Sequence, residues 1–290
     1  MDDDNDQGNL HHHKQQPNLI IVSSFEAMNP SRRNTMEDRH SIHQAGTWKA
    51  PDPDITYLAI YDGHGGRDMV DFLEHAMPFH VAQELEAAGA EDVPMETRME
   101  RAFLMADIHG RHAGITASGA TVALCLVKPN PESKSINLVV ANAGDARVVL
   151  GQAGRPAERL SFDHSVHDPQ EVQRIAQAGG FCWRNRVLGV LAVTRSLGDQ
   201  LLKEYVIAEP TVRETNIPFT SSSGQNNKES SEQSFVILAC DGLWDVISDQ
   251  EAVDLVRGFK GEKNAVSKRL VQEGLTRGTT DNLTVIVAWL

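Results

Sequence analysis

Short apolar runs that each end in an aspartate constrain this 290-residue chain more than any other feature. Residues 55–61 run into Asp62, residues 235–240 into Asp241, and residues 136–143 into Gly144-Asp145. Their β-branched and aromatic content predicts strands over 55–61, 136–141 and 235–239. Asp281-Asn282 does the opposite and opens the run 283–289. If that last strand lies antiparallel to its neighbours, its start sits beside their ends, and the carboxylates collect at one end of the sheets. A single Asp-Gly is usually a hairpin turn. Asp62-Gly63 and Asp241-Gly242 are both followed by helix-like sequence instead of a matching strand. Met36-Glu37-Asp38 adds two more acids.

Further strands are expected at 19–25, 121–127 and 147–150. A helix over 66–88 places Val70, Leu73, Met77, Val81 and Leu85 on one face, and one over 95–112 does so with Met99, Phe103, Leu104 and Ile108. A third begins with Asp168 as cap and Pro169 in the first turn, and stops at Gly179-Gly180. Two more are expected over 249–257 and 262–275. Strands outnumber helices and the helices cluster. This favours α+β, with sheets packed together and helices outside, over a doubly wound parallel sheet.

Residues 1–17 are polar, hold four Asp and the run His11-His12-His13, and are expected to form a flexible tail. Residues 18–290 are expected to form one domain, with 221–234 a polar loop inside it. Lys plus Arg is 27 against 40 Asp plus Glu, a net charge of −13. That balance argues against nucleic-acid partners and against docking on an anionic membrane. No apolar run reaches the ~18 residues of a membrane span, and the start lacks a signal-peptide pattern. Cys125, Cys182 and Cys240 form neither a disulfide framework nor a zinc pattern. A reduced compartment is expected, the cytoplasm first and the nucleus also open.

Clustered carboxylates need a counter-charge. Two of them about 4 Å apart repel by roughly 4 kcal/mol at an effective dielectric near 20. Protonation or bound cations must relieve this. Oxygen-only donors suit Mg²⁺ or Mn²⁺, and two ions bridged by one carboxylate can activate water and bind a phosphoryl oxygen.

Five blocks occur in one order: Arg33-Asn34-Thr35-Met36-Glu37-Asp38, Tyr61-Asp62-Gly63-His64-Gly65-Gly66, Asn142-Ala143-Gly144-Asp145-Ala146-Arg147, Asp241-Gly242-Leu243-Trp244-Asp245 and Thr280-Asp281-Asn282. Together with the block 187–199, they resemble the motifs of the PPM/PP2C family of metal-dependent protein serine/threonine phosphatases. The resemblance covers residues 19–290 and implies a four-layer αββα fold, a central sandwich of two mostly antiparallel sheets flanked by helices on both sides. It implies two Mg²⁺ or Mn²⁺ ions per chain, with a third bound weakly. Asp62 would bridge two ions, Glu37 and the Gly63 carbonyl would complete one shell, and Asp241 and Asp281 would hold the other ion. Asp38 would act through water, and Asp145 and Asp245 with Asp241 would form the third position. Arg33 would grip the substrate phosphate and His64 would protonate the leaving oxygen. The implied reaction is direct attack of a metal-bridging water or hydroxide on phosphoserine or phosphothreonine in signalling proteins; a monomer is expected, since nothing in the sequence demands an oligomer.

Bland readings stand beside these. Arg33 could be a surface charge and His64 a turn residue. Cys240 reads as a small core residue. Arg195 and Asp199 read as structural, as in a salt bridge, and are not assigned to metal. His109 and His112 have metal-compatible spacing on a helix but no evident third ligand. Ala106-Asp107-Ile108-His109-Gly110 imitates a phosphoesterase Asp-x-His-Gly yet falls inside a helix. Family members often carry Asp-His-Lys-Pro where this chain has Asp163-His164-Ser165-Val166-His167-Asp168-Pro169, which leaves flap contacts open and His167 as a candidate phosphate contact. A pseudophosphatase binding module is the alternative reading. An unrelated di-metal phosphoesterase fits less well, because such sites usually include several His ligands.

Overall fold

The computed structural model describes residues 20–87, 89, 92–219 and 233–290. The expected tail at 1–17 and most of the expected loop at 221–234 lie outside the described residues.

Two antiparallel sheets form the centre. In one, β1 (Ile21–Ala27), β13 (Leu283–Trp289), β12 (Phe235–Ala239), β6 (Arg147–Gly151) and β7 (Glu158–Arg159) lie side by side. In the other the order is β11 (Thr211–Pro218), β5 (Ser135–Ala143), β4 (Gly119–Asn130), β3 (Thr56–His64) and β2 (Arg39–His43). The short β10 (Leu197–Gly198) pairs with β4 beyond this path.

Side-chain alternation assigns each strand's two faces. Leu58 and Ile60 of β3 meet Val236 and Leu238 of β12 in a core between the sheets. Tyr57, Ala59 and Tyr61 point the other way, against α1 (Asp68–Glu86) and α2 (Met95–His112). Phe235, Ile237 and Ala239 likewise turn outward, against α4 (Asp241–Trp244), α5 (Asp249–Arg257) and α6 (Val266–Thr276). The four layers are helix, sheet, sheet and helix, the α+β sandwich that the sequence resemblance implied. Because both faces of each central strand are covered, these strands are apolar along most of their length. Each fully buried Leu, Ile or Val side chain stabilises the fold by about 1.5–3 kcal/mol.

The expected strands 19–25, 55–61, 121–127, 136–141, 147–150, 235–239 and 283–289 correspond to β1, β3, β4, β5, β6, β12 and β13, with ends moved by a few residues. The sequence reading missed β2, β7, β10, β11 and the hairpin β8 (Cys182–Trp183) with β9 (Arg186–Val187), all short or polar. The helix-like sequence expected after Asp241-Gly242 includes α4, a single turn directly after β12. Among the described residues no helix is long and apolar enough to cross a membrane.

Between β7 and β11 a flap rests on the strand ends. It holds α3 (Pro169–Gln177), where Asp168 accepts from Gln170 N–H as the expected cap, and a small core of Ile175, Val187 and Val206. His164 is buried, its Nδ1 3.2 Å from both the N–H and the carbonyl oxygen of Gly144 and its Nε2 hydrogen-bonded with Thr211 Oγ1 (2.8 Å). Burial pushes this imidazole down to about 4. Glu171, 3% exposed at the side chain, accepts from Arg174 (2.9 Å) and Arg195 (2.8 Å). Burial alone would raise its pKa, but these arginines outweigh burial and hold it at about 2. Arg195 is thus structural, with Glu171 as its partner.

Glu171→Gln should lower unfolding free energy in urea by about 3 kcal/mol at neutral pH, because it breaks a buried ion pair. The carboxyl is depressed from 4.5 to about 2 in the folded chain, so its contribution is full above pH 4.5 and disappears as pH falls through that window. The two proteins should therefore converge in acid. A gap that is constant with pH would contradict this account.

Candidate metal centre

The strand ends deliver the acids as the sequence pattern predicted. β12 and β13 are antiparallel, with Ala239 opposite Val285, so the start of β13 lies beside the end of β12. Asp62 stands near the end of β3, Asp145 in the β5–β6 turn and Asp241 at the first turn of α4. Carboxylate oxygens of Asp62, Asp145 and Asp241 lie within 4.8 Å of one another. Asp38, Asp62 and Cys240 form a second such group.

The electrostatics of the cluster follow from dehydration and like charge. Loss of solvent, then the charge of Asp241, pushes Asp62 well above the usual carboxylate range. Asp241 is raised well above that range by loss of solvent and by Asp145. Burial raises Asp38 and Asp145 to about 6, although Asp38 Oδ2 also accepts from Thr284 Oγ1 (2.7 Å). Asp245 is exposed, yet its pKa is also raised, with loss of solvent as the main cause. Across the β3–β4 ladder from Asp62, the buried hydroxyl of Thr121 has no hydrogen-bond partner among the described residues. A set of hard oxygen donors with surplus negative charge fits divalent cations such as Mg²⁺ or Mn²⁺.

The Glu37 carboxylate belongs to neither of these acidic groups and accepts from Thr35 Oγ1 (3.1 Å), while its backbone ties it to the neighbouring segments. Its N–H donates to Asn282 Oδ1 (2.9 Å), and Asn282 Nδ2 donates to Met28 O (2.8 Å) and Thr35 O (3.0 Å). Asn282 therefore pins the loop bearing Glu37 to the start of β13. The carbonyl of Glu37 packs against Gly63 so closely that a Cβ at 63 would overlap it. Arg33 bonds Asp281 through Nη2 and the Thr280 carbonyl through Nε (3.2 Å). The expected phosphate grip is thus paired with an expected metal ligand.

His64 ends β3 and bonds Asp199 at 2.7 Å. Asp199 is therefore not paired with Arg195. A cleft of about 580 Å³ beside Asp245 is lined by Arg147, Arg159, Trp244 and Asp249. Cys240 is a buried thiol, its Sγ accepting from Thr284 N–H (3.2 Å) and its pKa pushed well up by burial. His167 lies on the flap, its N–H bonded to Ser165 Oγ (3.3 Å). Away from the cluster, His109 Nδ1 lies 3.0 Å from His80 Nε2 of α1, and its ring is 6.4 Å from that of His112. Sequence spacing did not reveal His80. Asn282 and Thr284 were also missed as organisers, although Asn282 stands within the quoted Thr280-Asp281-Asn282 block.

The pattern of the family Protein phosphatase 2C matches residues 23–283. The chain belongs to the protein phosphatase 2C family. Protein phosphatase 2C homolog 1 of Schizosaccharomyces pombe is 38% identical over 271 residues, which is 92% of this chain and 72% of that protein. Its Saccharomyces cerevisiae namesake is 36% identical over 280 residues, 93% of each chain. A phosphatase from Toxoplasma gondii, known from a crystal structure, superposes with a TM-score of 0.75 at 21% identity, covering 93% of this chain and 94% of that one. That likeness shows the shared fold. Family membership makes this chain a protein phosphatase, and its acidic groups could hold metal ions.

Gly63→Ala tests the close approach at Glu37. The added methyl must push the Glu37 backbone from the end of β3. Divalent-cation affinity measured by calorimetry should fall by about 10-fold or more, as when a metal site loses its supporting contacts. Wild-type affinity in a folded variant would show that this approach does not shape the site.

Proposed function

We propose that this chain hydrolyses phosphoserine and phosphothreonine in proteins with the help of bound Mg²⁺ or Mn²⁺, two ions and a weaker third. The observation that supports this most directly is the Asp62–Asp145–Asp241 cluster, three carboxylates crowded at the sheet ends. Asp62, Glu37 and the Gly63 carbonyl would hold one ion. Asp62, Asp241 and Asp281 would hold the second, and Asp145, Asp241 and Asp245 the third. Such ions supply Lewis acidity to a phosphoryl oxygen and make water a better nucleophile near neutral pH.

The chain's own groups then divide the remaining work. Arg33 offers a planar fork that matches two phosphate oxygens, once the phosphate competes with Asp281 for it. Asp38, buried and bonded to Thr284, orients water at the cluster. His64, partly exposed at the cluster's edge, gives a proton to the departing serine or threonine oxygen. A signalling role in cytoplasm or nucleus, as a monomer, belongs to the same reading. Treating residues 18–290 as one catalytic domain is supported by β1 and β13, which come from opposite ends of the chain yet pair along their whole length.

The test is phosphate release from a phosphothreonine peptide with Mn²⁺, with Mg²⁺ and with EDTA. Activity should require the metal, and Asp62→Asn should lower kcat by about 10²-fold or more, in line with losing a group that organises charge at the reacting centre. Turnover that survives EDTA, or a folded Asp62→Asn variant with wild-type kcat, would refute the proposal.

A further inference from the structure

We propose that Asp199 is the positioning residue for His64, fixing which ring nitrogen is free to deliver a proton to the leaving oxygen. This rests on the reading of His64 as the general acid. Both β3 and β10 pair with β4, and Gly119 of β4 is the register partner of His64 on one side and of Gly198 on the other. His64 Nε2 and Asp199 Oδ2 meet across it at 2.7 Å. A Cβ at 119 would overlap both of these atoms, so the strand between them must have a glycine there. The Asp199 side chain is 7% exposed, against 28% for His64.

Asp199 is itself held from several sides. Its φ of +47° lies in the left-handed region, which is uncommon for a residue with a Cβ. Its N–H donates to Ser118 O (3.1 Å), and Ser196 Oγ donates to the same Oδ2 that His64 uses. Gly198 N–H is anchored on Asp107 Oδ1 (2.7 Å), and Lys203 Nζ bridges Asp107 Oδ1 (3.0 Å) and Ser196 O (3.0 Å). A buried carboxylate on unfavourable backbone is destabilising by itself. Here the surrounding bonds over-determine its position, and that position is beside His64, two residues along β3 from Asp62.

A carboxylate only accepts hydrogen bonds, so the Nε2 that meets it donates. The other nitrogen, Nδ1, is then the one left to give a proton. As the P–O ester bond breaks, its electron pair stays on the serine or threonine oxygen and the Nδ1 proton moves there. The oxygen of the attacking water forms the new P–O bond and loses its proton to solvent, and the imidazole regains a proton from water. Without the anion at 199 the ring can exchange tautomers or turn.

The test compares a phosphothreonine peptide, whose alkoxide needs the proton, with p-nitrophenyl phosphate, whose phenolate leaves without one. Asp199→Asn should lower kcat on the peptide by about 10–10²-fold, a large part of what general acid catalysis contributes. The loss on the aryl phosphate should be smaller by about tenfold or more, with peptide KM within about twofold of wild type. Added to His64→Gln it should cost nothing further, because the two act as a unit. In ¹⁵N spectra of the metal-free protein, the neutral His64 ring should carry its proton on Nε2, and Asp199→Asn should mix the tautomers. Equal losses on both substrates, additive losses or an unchanged tautomer would overturn the proposal. If His64→Gln itself shows no leaving-group preference, the general-acid reading falls and this proposal with it. If His64→Gln shows the preference and Asp199→Asn does not, only this proposal falls. Should Asp199→Asn fail to fold, Ser196→Ala, which removes one donor to Asp199, must show the same split at smaller size, and its absence there is equally fatal.

Discussion

Repulsion among partly dehydrated carboxylates is the constraint to which the rest of this structure answers. Asp62, Asp145 and Asp241 have oxygens within 4.8 Å of one another, and Asp38 adjoins the group. A pair of such charges at about 4 Å costs roughly 4 kcal/mol even at an effective dielectric near 20. A typical domain has only about 5–15 kcal/mol of net stability. The acids can be kept together only by a frame that does not depend on them, with protons or cations balancing the charge. The raised pKa values at Asp38, Asp62, Asp145 and Asp241 express the same stress.

The sandwich supplies that frame. Its central strands are buried on both faces, so three apolar layers are stacked through them. β1 and β13 close one sheet by pairing the two ends of the described chain. The acids lie at or just beyond the ends of strands, where the ladder fixes the backbone while the side chains leave the apolar core. A small set of neutral polar groups finishes the placement. Asn282 bonds Met28, Thr35 and Glu37 at once, and Thr284 bonds the carboxylate of Asp38. Neutral donors can brace these segments without quenching the charge that a cation needs, whereas Arg33 offsets the charge of Asp281.

The flap follows a different logic. It has a small apolar core and is fastened by ion pairs, chiefly Glu171 with Arg174 and Arg195. Phe181, Trp183 and Val190 remain largely exposed on it. Few apolar contacts make such a segment easier to displace than the strands beneath it.

The long elements were legible in the sequence because their periodicity extends over enough residues to show. The helix at 95–112 and the strand at 235–239 match α2 and β12 residue for residue. The acid-ended runs also foretold that Asp62, Asp145 and Asp241 gather at one end of the sheets, because strand direction plus antiparallel pairing brings those ends together. The two-residue strands β7 to β10 were not legible, since a period of two cannot be seen in two residues. Nor were the pairings of Arg33 with Asp281, Arg195 with Glu171 and His64 with Asp199, which join positions up to 248 residues apart. The sequence by itself determined which residues are apolar, roughly where the long strands lie and which chemistry the acids near their ends offer, because those are local properties of side chains. Only the tertiary structure decided which charge faces which, because that depends on how β3, β4 and β10 lie in register and on the space that Gly119 leaves between them.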